Sequence, residues 1–445
     1  MTTVVFADRD GSAFGPLSER IVPALLPLQG VPALERMLTA LVSAGVRDAL
    51  LVVGPRADAI EKRFGKGIRW GIALEVVRRG EDETPGDVLR RLEHRLDGET
   101  LVLRGDVGAH AAVGEFLREV EERRGPIVAG VAAGRPAGFW RLLPGAIKKK
   151  ELPREPASPE WTLDKDHVPL PVTTPFLLLD SVASYRAADR VATFAVSPRG
   201  EAESGAKLLP GSTVGEEALV LAGASLAETT VLPRSVIPPG VSLSGAVVSG
   251  NLVVDAESGV ISRLTDLLPP SGKARFPSGK GAAYVLVLLS LPLWPVAFLW
   301  SLVANAGHAT RGVTWNGNGE SGREPFTTFG FETAIPVLRD LPLLLAVLSG
   351  RLALTGVTPL APAEETALTE PWERVRLEAP VGLLSLVRLA VPASAPAEVT
   401  RLVDAFEARR PSPLLWRALR ALFTARAWTA PKVWNPDQLL EEEGR

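Results

Sequence analysis

The feature that most constrains this chain is an apolar stretch over residues 281–304, GAAYVLVLLSLPLWPVAFLWSLVA. It carries no charged side chain and could cross a hydrocarbon core of about 30 Å. Pro292 and Pro295 each remove a backbone donor and disfavour helix at the preceding residue, so the sequence predicts two half-helices with a bend. Because freed carbonyl groups cannot face lipid, we expect a re-entrant helix that returns to the membrane face it entered. A kinked spanning helix and a buried core helix are the alternatives.

The composition is that of a globular protein of about three domains, because the chain has 445 residues with 46% apolar and 22% charged side chains. The net charge of −2 gives no reason to expect a nucleic acid partner. Lys273, Arg275, Lys280 and Arg311 flank the apolar stretch, which suits an anionic cytoplasmic leaflet. The chain has no cysteine, and its four histidines lack the spacing of metal ligands.

The N-terminal part of the chain alternates between strand and helix patterns. The hydrophobic periodicity predicts strands at residues 3–7, 49–53, 74–78 and 100–103, and helices at residues 32–44 and 87–96. Repeated alternation of this kind indicates a parallel, doubly wound α/β sheet. In such a sheet the ligand binds at the carboxyl ends of the strands.

Three segments of this region resemble the sugar-nucleotide pyrophosphorylases, over roughly residues 1–195. They are the opening VVFADRDGSAFGPLSER, the strand TLVLRGDV and the segment FLLLDSVASYRAADR. The resemblance implies a nucleotidyltransferase-like domain over residues 1–200, in which Gly11 and Ser12 approach the nucleotide while Asp106 and Asp180 hold Mg²⁺. Paired carboxylates suit that role, because Mg²⁺ is usually held by one or two carboxylates together with substrate phosphates and water.

The same segments depart from the family pattern where phosphates would be bound. Arg9 occupies a glycine position of the phosphate loop, Ala13 stands where the family has an arginine, and Pro23 or Ala24 stands where it has a lysine. Each lost cation removes transition-state stabilisation, so we do not expect pyrophosphorylase activity. Two interpretations stay open. The two aspartates are solvated residues of an inherited fold, or they belong to a weakened nucleotide or metal site.

Residues 209–254 follow a step of six residues. One series contains Val214, Val220, Leu226 and Leu232, and another contains Leu219, Ser225, Val231, Ile237 and Leu243. This pattern is typical of hexapeptide proteins and predicts a short left-handed β-helix over residues 205–262, stacked on the N-terminal domain, with a linker over residues 263–280. No histidine lies between residues 168 and 307, which argues against a hexapeptide acyltransferase.

The rest of the chain, over roughly residues 275–430, resembles the bacterial sugar transferases, the small monotopic phosphoglycosyl transferases. The order of segments carries the resemblance: the proline-broken apolar helix, VTWNGNGESG, FTTFGFET and VLRDLPLLLAVLSGRLALTGVTPL. It implies a mainly α-helical monotopic membrane domain over residues 281–430, with a re-entrant helix, and then a tail over residues 431–445. In the family an aspartate attacks the phosphate of a nucleotide sugar, a neighbouring glutamate assists the metal, and polyprenyl phosphate attacks the phosphorylated intermediate.

Here too the catalytic positions are replaced. Arg339 occupies the position of the nucleophile, and Asp340 falls in that of the glutamate. The Lys-Phe-Arg segment has become residues 329–331, Phe-Gly-Phe, and the proline-rich turn over residues 356–359 lacks its arginine. Because an arginine cannot be that nucleophile, we expect a non-catalytic fold that keeps its membrane docking. A slip of one position that makes Asp340 the nucleophile is one alternative, and another fold altogether is a second.

The two resemblances together imply a fused protein of bacterial surface polysaccharide assembly, at the cytoplasmic face of the inner membrane. As a binding or scaffold protein it would hold a nucleotide sugar, polyprenyl phosphate or a polysaccharide-assembly protein without turnover. As an enzyme it would move a sugar phosphate from a nucleotide sugar to polyprenyl phosphate, with Mg²⁺ and Asp340. Arg339 makes the sequence favour the binding protein.

Overall fold

The computed structural model describes residues 1–96, 98–108, 110–132, 135–147, 167–172, 178–189, 194–270, 276, 279–304, 310–319, 322–392, 395–423 and 428. These residues form an α/β N-terminal domain, a short parallel coil and a C-terminal region of helices with two small sheets. The predicted tail over residues 431–445 lies outside the described residues.

The N-terminal domain alternates strands and helices. Its elements are β1 (Thr2–Ala7), β2 (Pro27–Leu28), β3 (Val31–Pro32), α1 (Ala33–Ser43), β4 (Asp48–Val53), α2 (Asp58–Phe64), β5 (Ala73–Arg78), α3 (Pro85–Arg91), β6 (Thr100–Arg104), α4 (His110–Val120), β7 (Ile127–Ala132), β8 (Arg135–Leu142), β9 (His167–Pro171) and α5 (Val182–Asp189). The main sheet has the order β5-β4-β1-β6-β8-β7-β9, and β2 pairs with β3 separately.

Helices cover both faces of the main sheet. On one face α1 and α4 bring Met37 and Phe116 into the core, and on the other face α3 brings Leu89. The mixed α/β architecture is therefore confirmed, and the four predicted strands match β1, β4, β5 and β6 to within one residue at either end. The sheet is not wholly parallel as we expected, because β8 runs antiparallel to β6 and β7.

Residues 194–249 form a parallel coil with three faces. Its strands are β10 (Phe194–Val196), β11 (Glu201–Ala202), β12 (Lys207–Leu208), β13 (Ser212–Val214), β14 (Leu219–Val220), β15 (Ser225–Ala227), β16 (Thr230–Val231), β17 (Val236–Ile237), β18 (Ser242–Ser244) and β19 (Ala246–Ser249). They pair in the ladders β10-β13-β16-β19, β11-β14-β17 and β12-β15-β18, and antiparallel β20 (Leu252–Asp255) and β21 (Ile261–Arg263) extend the first. The coil thus begins before the predicted residue 205, while its left-handedness stays a prediction.

The step along the coil is not uniform. Val196 pairs with Val214, and Val214 pairs in turn with Val231 in the next coil. Successive coils therefore contain 18 and then 17 residues. The inward series therefore continues from Leu226 to Val231 after five residues instead of six. Leu232, which we predicted to continue the first series, lies in a different buried cluster with residues of the N-terminal domain.

The C-terminal region is mainly α-helical, as predicted. Its elements are α6 (Lys280–Ser290), α7 (Leu293–Ala304), β22 (Thr310–Asn318), β23 (Arg323–Phe331), α8 (Pro336–Asp340), α9 (Leu343–Leu348), β24 (Ala353–Thr355), α10 (Pro362–Thr366), α11 (Pro371–Arg374), β25 (Gly382–Leu384), α12 (Leu386–Ala390), α13 (Ala397–Arg409) and α14 (Leu414–Leu422). We did not predict the antiparallel hairpin of β22 and β23, which pair along their whole length.

The apolar stretch forms α6 and α7, which meet at an angle of 65°. Within the part of the chain that the structure describes, no single helix is both long and apolar enough to cross a membrane, and these two pass that test only as a bent pair. Pro292 lies at the break, as predicted. Pro295 lies in the first turn of α7, where a missing N–H removes no helical hydrogen bond, so its predicted role in the break is wrong.

The N-terminal domain and the C-terminal region both pack against the coil. On one side a buried cluster joins Phe14 and Tyr185 of the N-terminal domain to Leu232 of the coil. On another side Leu402 and Phe406 of α13 belong to the same cluster as the coil interior, while α12 and α14 cover outward residues of β14 and β17. The buried clusters therefore continue across residue 262, where we predicted the end of the coil domain.

A buried aspartate fixes the N-terminal domain to the coil. Asp189, at the end of α5, accepts hydrogen bonds from the backbone N–H of Gln29 at 2.6 Å and from the hydroxyl groups of Thr213 and Thr230 at 2.5 and 2.6 Å. Arg186 donates to the Thr230 hydroxyl at 2.9 Å. Burial raises the pKa of Asp189. Since a buried polar group without partners is costly, these bonds hold α5 and the β2–β3 hairpin against the coil.

Glu407 of α13 should make stability depend on pH. Burial raises the pKa of Glu407 from 4.5 to about 7, although its carboxylate accepts bonds from the Ser412 N–H and hydroxyl. Its contribution is present below the unfolded pKa and is lost as the pH rises through the folded pKa, by on the order of 3 kcal/mol. We expect the melting temperature of Glu407→Gln to fall less than that of wild type between about pH 5 and pH 8. Equal falls, or an equal effect of the exposed control Glu119→Gln, would contradict this.

Candidate functional site

Two aspartates lie side by side where β1 and β6 end. The strands are parallel neighbours, so Asp8 and Asp106 leave the sheet at the same edge. Side chains two residues apart in a strand point to the same face, which places Arg104 next to Asp106. All three residues are at most 2% exposed. Together with Arg9 and Arg79 they form what we name the strand-end cluster.

Arg104 hydrogen-bonds to one carboxylate of the strand-end cluster and forms an ion pair with the other. Its Nε and Nη2 donate to the two oxygens of Asp106 at 2.9 and 2.7 Å, and its Nη1 lies 3.0 Å from Oδ1 of Asp8. Arg9 Nε lies 3.4 Å from Oδ2 of Asp106, and Arg79 Nε lies 3.1 Å from Oδ2 of Asp8. Every carboxylate oxygen of the pair therefore faces a guanidinium nitrogen, which is the condition under which buried charges are tolerated.

The charges of this cluster keep Asp106 ionised. Burial by itself would raise the pKa of Asp106, but the charges of Arg104 and Arg9 and the hydrogen bonds from Arg104 outweigh it, so the pKa lies below its usual 3.8. Both oxygens of the Asp106 carboxylate therefore already accept hydrogen bonds from Arg104. The carboxylate has no proton to supply to a reaction near neutral pH.

In the loop predicted to approach a nucleotide, the Asp10 side chain accepts the Ser12 N–H that a phosphate would need. Gly11 has a left-handed φ of 78°, and a Cβ there would lie 3.0 Å from Cδ of Pro23. The N–H of Ser12 donates to Oδ1 of Asp10 at 3.0 Å, which lowers the pKa of the Asp10 carboxyl. The chain then continues as two short 3₁₀ segments within Ser12–Glu19, separated by a kink at Gly15. A phosphate that used the Ser12 amide would have to displace Asp10.

Asp180, the second predicted Mg²⁺ ligand, bonds to Ser184 of α5. Its segment runs beside that of Asp106, because the N–H of Leu179 donates to the Asp106 carbonyl at 3.4 Å. The Asp180 side chain is exposed and accepts a bond from the Ser184 hydroxyl at 2.8 Å. Among the described residues no group of three or more His, Cys, Asp or Glu could hold a metal ion. With both Asp106 oxygens bonded to Arg104, the residues present do not fit Mg²⁺.

In the C-terminal region Arg339 and Asp340 bond to each other. Arg339 Nε and Nη2 donate to the Asp340 oxygens at 2.9 and 3.3 Å, and Arg388 Nη1 donates to Oδ2 of Asp340 at 3.3 Å. The bond to Asp340 raises the pKa of Arg339. Adjacent helical residues point about 100° apart, so the long Arg339 side chain folds back to reach Asp340. The three residues form what we name the Asp340 cluster.

Residues 329–331, where the family has cations, line one side of the Asp340 cluster. A Cβ on Gly330 would lie 3.4 Å from the carbonyl oxygen of Arg339, so the end of β23 runs next to α8. Phe331 is buried and meets Trp294 of α7 edge to face, with ring centroids 6.0 Å apart. These aromatic contacts connect the cluster to the bent helix pair and supply no charge to it.

The turn over residues 356–359 reaches the same cluster through α12. The Thr358 hydroxyl lies 2.8 Å from the Ser385 hydroxyl, and it donates to the buried carboxylate of Asp404 at 3.1 Å. Ser385 caps α12 by accepting the N–H of Arg388 at 3.2 Å. The predicted turn therefore helps to position Arg388, although it lacks the arginine of the family.

Sequence reasoning missed four members of these clusters, Asp8, Arg79, Arg104 and Arg388. Asp8 lies in a segment quoted for its resemblance, directly after a predicted strand, and its place beside Asp106 follows from the parallel pairing. Arg79 and Arg388 come from segments distant in sequence, and no local pattern marks them. Arg104 could have been found, because it stands two residues before Asp106 at the end of a predicted strand.

No family model matches the chain. It is 33% identical over 150 residues to a CMP-5'-(3-aminopropyl)phosphonate synthase of Streptomyces rubellomurinus, covering 33% of this chain and 22% of that protein. It is 26% identical over 163 residues to a mannose-1-phosphate guanylyltransferase of Mycobacterium tuberculosis, covering 36% and 44%. Against a glucose-1-phosphate thymidylyltransferase of Actinoplanes it is 25% identical over 171 residues, covering 36% and 55%.

The chain thus spans between 22% and 55% of the length of these curated relatives. Among solved structures it is similar to a putative glucose-1-phosphate thymidylyltransferase from Bacillus anthracis, with a TM-score of 0.36 and 12% identity over 42% of this chain and 94% of that one. The sequence similarity to the curated proteins supports a nucleotidyltransferase-like N-terminal domain, as predicted.

We expect no pyrophosphate release when the protein is given a nucleoside triphosphate, a sugar 1-phosphate and Mg²⁺. The cations that would neutralise the leaving phosphates are absent at Ala13 and Pro23, and Arg104 already bonds the Asp106 carboxylate. An assay of released pyrophosphate measures this directly. The variant that combines Ala13→Arg with Pro23→Lys should stay inactive because Asp106 is still bonded. Metal-dependent release by wild type above background would contradict the expectation.

Proposed function

We propose that this chain is a binding protein of bacterial surface polysaccharide assembly, seated on the cytoplasmic face of the inner membrane. It holds a nucleotide sugar or polyprenyl phosphate, and presents it to polysaccharide-assembly proteins, without turnover. The names of its relatives, which specify nucleotidyl transfer to mannose 1-phosphate and glucose 1-phosphate, support a nucleotide sugar as the ligand. The hexapeptide β-helix and the phosphoglycosyl-transferase-like membrane domain are part of the same proposal.

The observation that carries the proposal is that arginines hold the carboxylate at each candidate centre. Arg104 bonds Asp106, and Arg339 and Arg388 bond Asp340. A carboxylate attacks phosphorus through a lone pair, and guanidinium groups that bond its oxygens compete for those lone pairs. The planar fork of an arginine matches a phosphate as well as a carboxylate. A phosphate that replaced Asp340 between the two arginines would therefore be held and not attacked.

An active phosphoglycosyl transferase is the second candidate. The side chain of Asp340 is 25% exposed, so a substrate phosphate could reach it. In that case Asp340 would leave Arg339 and Arg388, attack the phosphate and release the nucleotide, and the two arginines would neutralise the charge that develops. Binding and turnover by the same variants distinguish the two candidates.

The test combines calorimetric binding of nucleotide sugars and polyprenyl phosphate with a phosphosugar-transfer assay. We expect wild type to bind without transfer, and Arg339→Ala to bind at least about tenfold more weakly, because one phosphate partner is lost. Asp340→Asn should keep or improve binding, since it removes the competing charge. Arg351→Ala is the matched control, because Arg351 is as exposed as Arg339 and pairs with Glu324 instead. Transfer by wild type that Asp340→Asn abolishes would establish the enzyme and reject the binding protein.

The membrane part of the proposal is supported by the exposed apolar side of the bent helix pair. Leu289, Leu299 and Val303 are 72, 61 and 82% exposed, and Trp300 lies among them at 54%. On α14, Trp416 is 71% exposed beside Arg417 and Arg420, an arrangement suited to the headgroup zone. Contiguous exposed apolar side chains of this size are unusual on a protein without a membrane or protein partner.

We expect the protein to sediment with vesicles that contain anionic lipid. The double variant of Leu289→Asp and Val303→Asp should lower the vesicle affinity at least about tenfold, because it places two charges on the face that enters the bilayer. Ile68→Asp is the control, since Ile68 is 80% exposed but belongs to the N-terminal domain. Equal vesicle binding by the double variant and the control would refute membrane seating through this pair.

A further inference from the structure

We propose that Arg104 is a built-in cation that takes the place of a divalent metal between Asp8 and Asp106. One guanidinium hydrogen-bonds both oxygens of Asp106, at 2.9 and 2.7 Å, and forms an ion pair with Oδ1 of Asp8 at 3.0 Å. Arg104 and Asp106 are fully buried, and Asp8 is 2% exposed. The charges of the two carboxylates are therefore already compensated before any ligand arrives.

A hydrated Mg²⁺ does not fit the same place. Mg²⁺ keeps several water molecules and requires nearly octahedral oxygen ligands, whereas the cluster offers oxygens that all face guanidinium nitrogens. A divalent cation would also meet three guanidinium groups, those of Arg9, Arg79 and Arg104, against two carboxylates. Repulsion between like charges in a buried site is strong, so the metal would have to displace Arg104.

The replacement of a glycine by Arg9 belongs to the same arrangement. In the sequence, Arg9 replaces the glycine that would let the backbone approach a phosphate closely. In the fold its Nε lies 3.4 Å from Oδ2 of Asp106, and its side chain is 18% exposed. Asp10 completes the arrangement on the loop by accepting the Ser12 N–H. The chain's own side chains thus occupy both a cation position and an anion position at this edge of the sheet.

The consequence is that the strand-end cluster takes up no divalent metal, whatever the N-terminal domain binds. This does not depend on the function proposed above, because it concerns the strand-end cluster without ligand. The whole protein is tested with Mn²⁺ alone, which replaces Mg²⁺ and reports binding through the loss of its free electron paramagnetic resonance signal. Thermal melts with and without Mn²⁺ provide a second readout.

Wild type and Asp106→Asn should bind Mn²⁺ equally little, and Mn²⁺ should not change the melting temperature of wild type. Arg104→Met should melt about 10 °C lower, because it leaves two buried carboxylates facing each other. It should gain an Mn²⁺ site that restores part of the lost melting temperature, and Asp8→Asn added to Arg104→Met should remove that site. Arg90→Met is the control, since Arg90 pairs with Asp87 at the surface and should change neither readout.

Arg104→Lys guards against a variant that fails to fold. It keeps the positive charge but cannot bond both carboxylates at once, so it should lower the melting temperature and still bind no Mn²⁺. Three results would overturn the proposal. The first is Mn²⁺ binding by wild type that Asp106→Asn abolishes. The second is Mn²⁺ binding by Arg104→Lys as strong as that of Arg104→Met, and the third is no Mn²⁺ binding by a folded Arg104→Met.

Discussion

A short coil cannot cover its own outer faces, and the rest of this structure is arranged around that constraint. Each turn of the coil buries the side chains that point inward, while the outward residues of its ladders need neighbours. The N-terminal domain supplies one cover, through Phe14 and Tyr185, and α12 to α14 supply another, through Leu386, Val403 and Leu414. Asp189 then fixes the first cover by hydrogen bonds that reach across the junction.

Both candidate centres share one electrostatic solution. At the strand ends and on α8, an aspartate that stands in or beside a family's catalytic position is held by arginines of this chain. The two centres differ in burial, since the Arg104 side chain is fully buried and that of Arg339 is 45% exposed. A buried pair that loses one partner leaves an uncompensated charge, whereas an exposed pair can open to a ligand at little cost. The Asp340 cluster is therefore the better place for an exchangeable anion.

Local periodicity was enough to find much of the fold. The strands β1, β4 and β6 were predicted from apolar runs because each is buried on both faces, β5 was predicted although only part of it is buried, and the coil was predicted from its six-residue step. What local patterns could not show was pairing over distance. The β22–β23 hairpin is an example, because β22 is mostly exposed and has no buried apolar run that could mark it. The shortened second coil changes which residues point inward, and only stacking reveals it.

The candidate sites followed the same rule. Asp106 and Asp340 were found because a resemblance pointed to them, but their partners were not all local. Arg388 reaches Asp340 from α12, and Arg79 reaches Asp8 from the end of β5, so neither is marked by sequence spacing. Pro295 was misjudged for a different reason. A proline interrupts a helix only beyond its first turn, and the position of that turn depends on where the preceding helix ends.

The shared cover of the coil has a consequence for how such a gene can change. Recombination that exchanged the segment before residue 194, or the one after residue 263, would remove residues that bury the coil's faces. A domain brought in from another lineage would have to match both the apolar outline and partners such as Glu203 for Arg417 and Glu398 for Arg20. We therefore expect the three segments to be inherited together, because exchange of one alone would expose apolar faces of the coil.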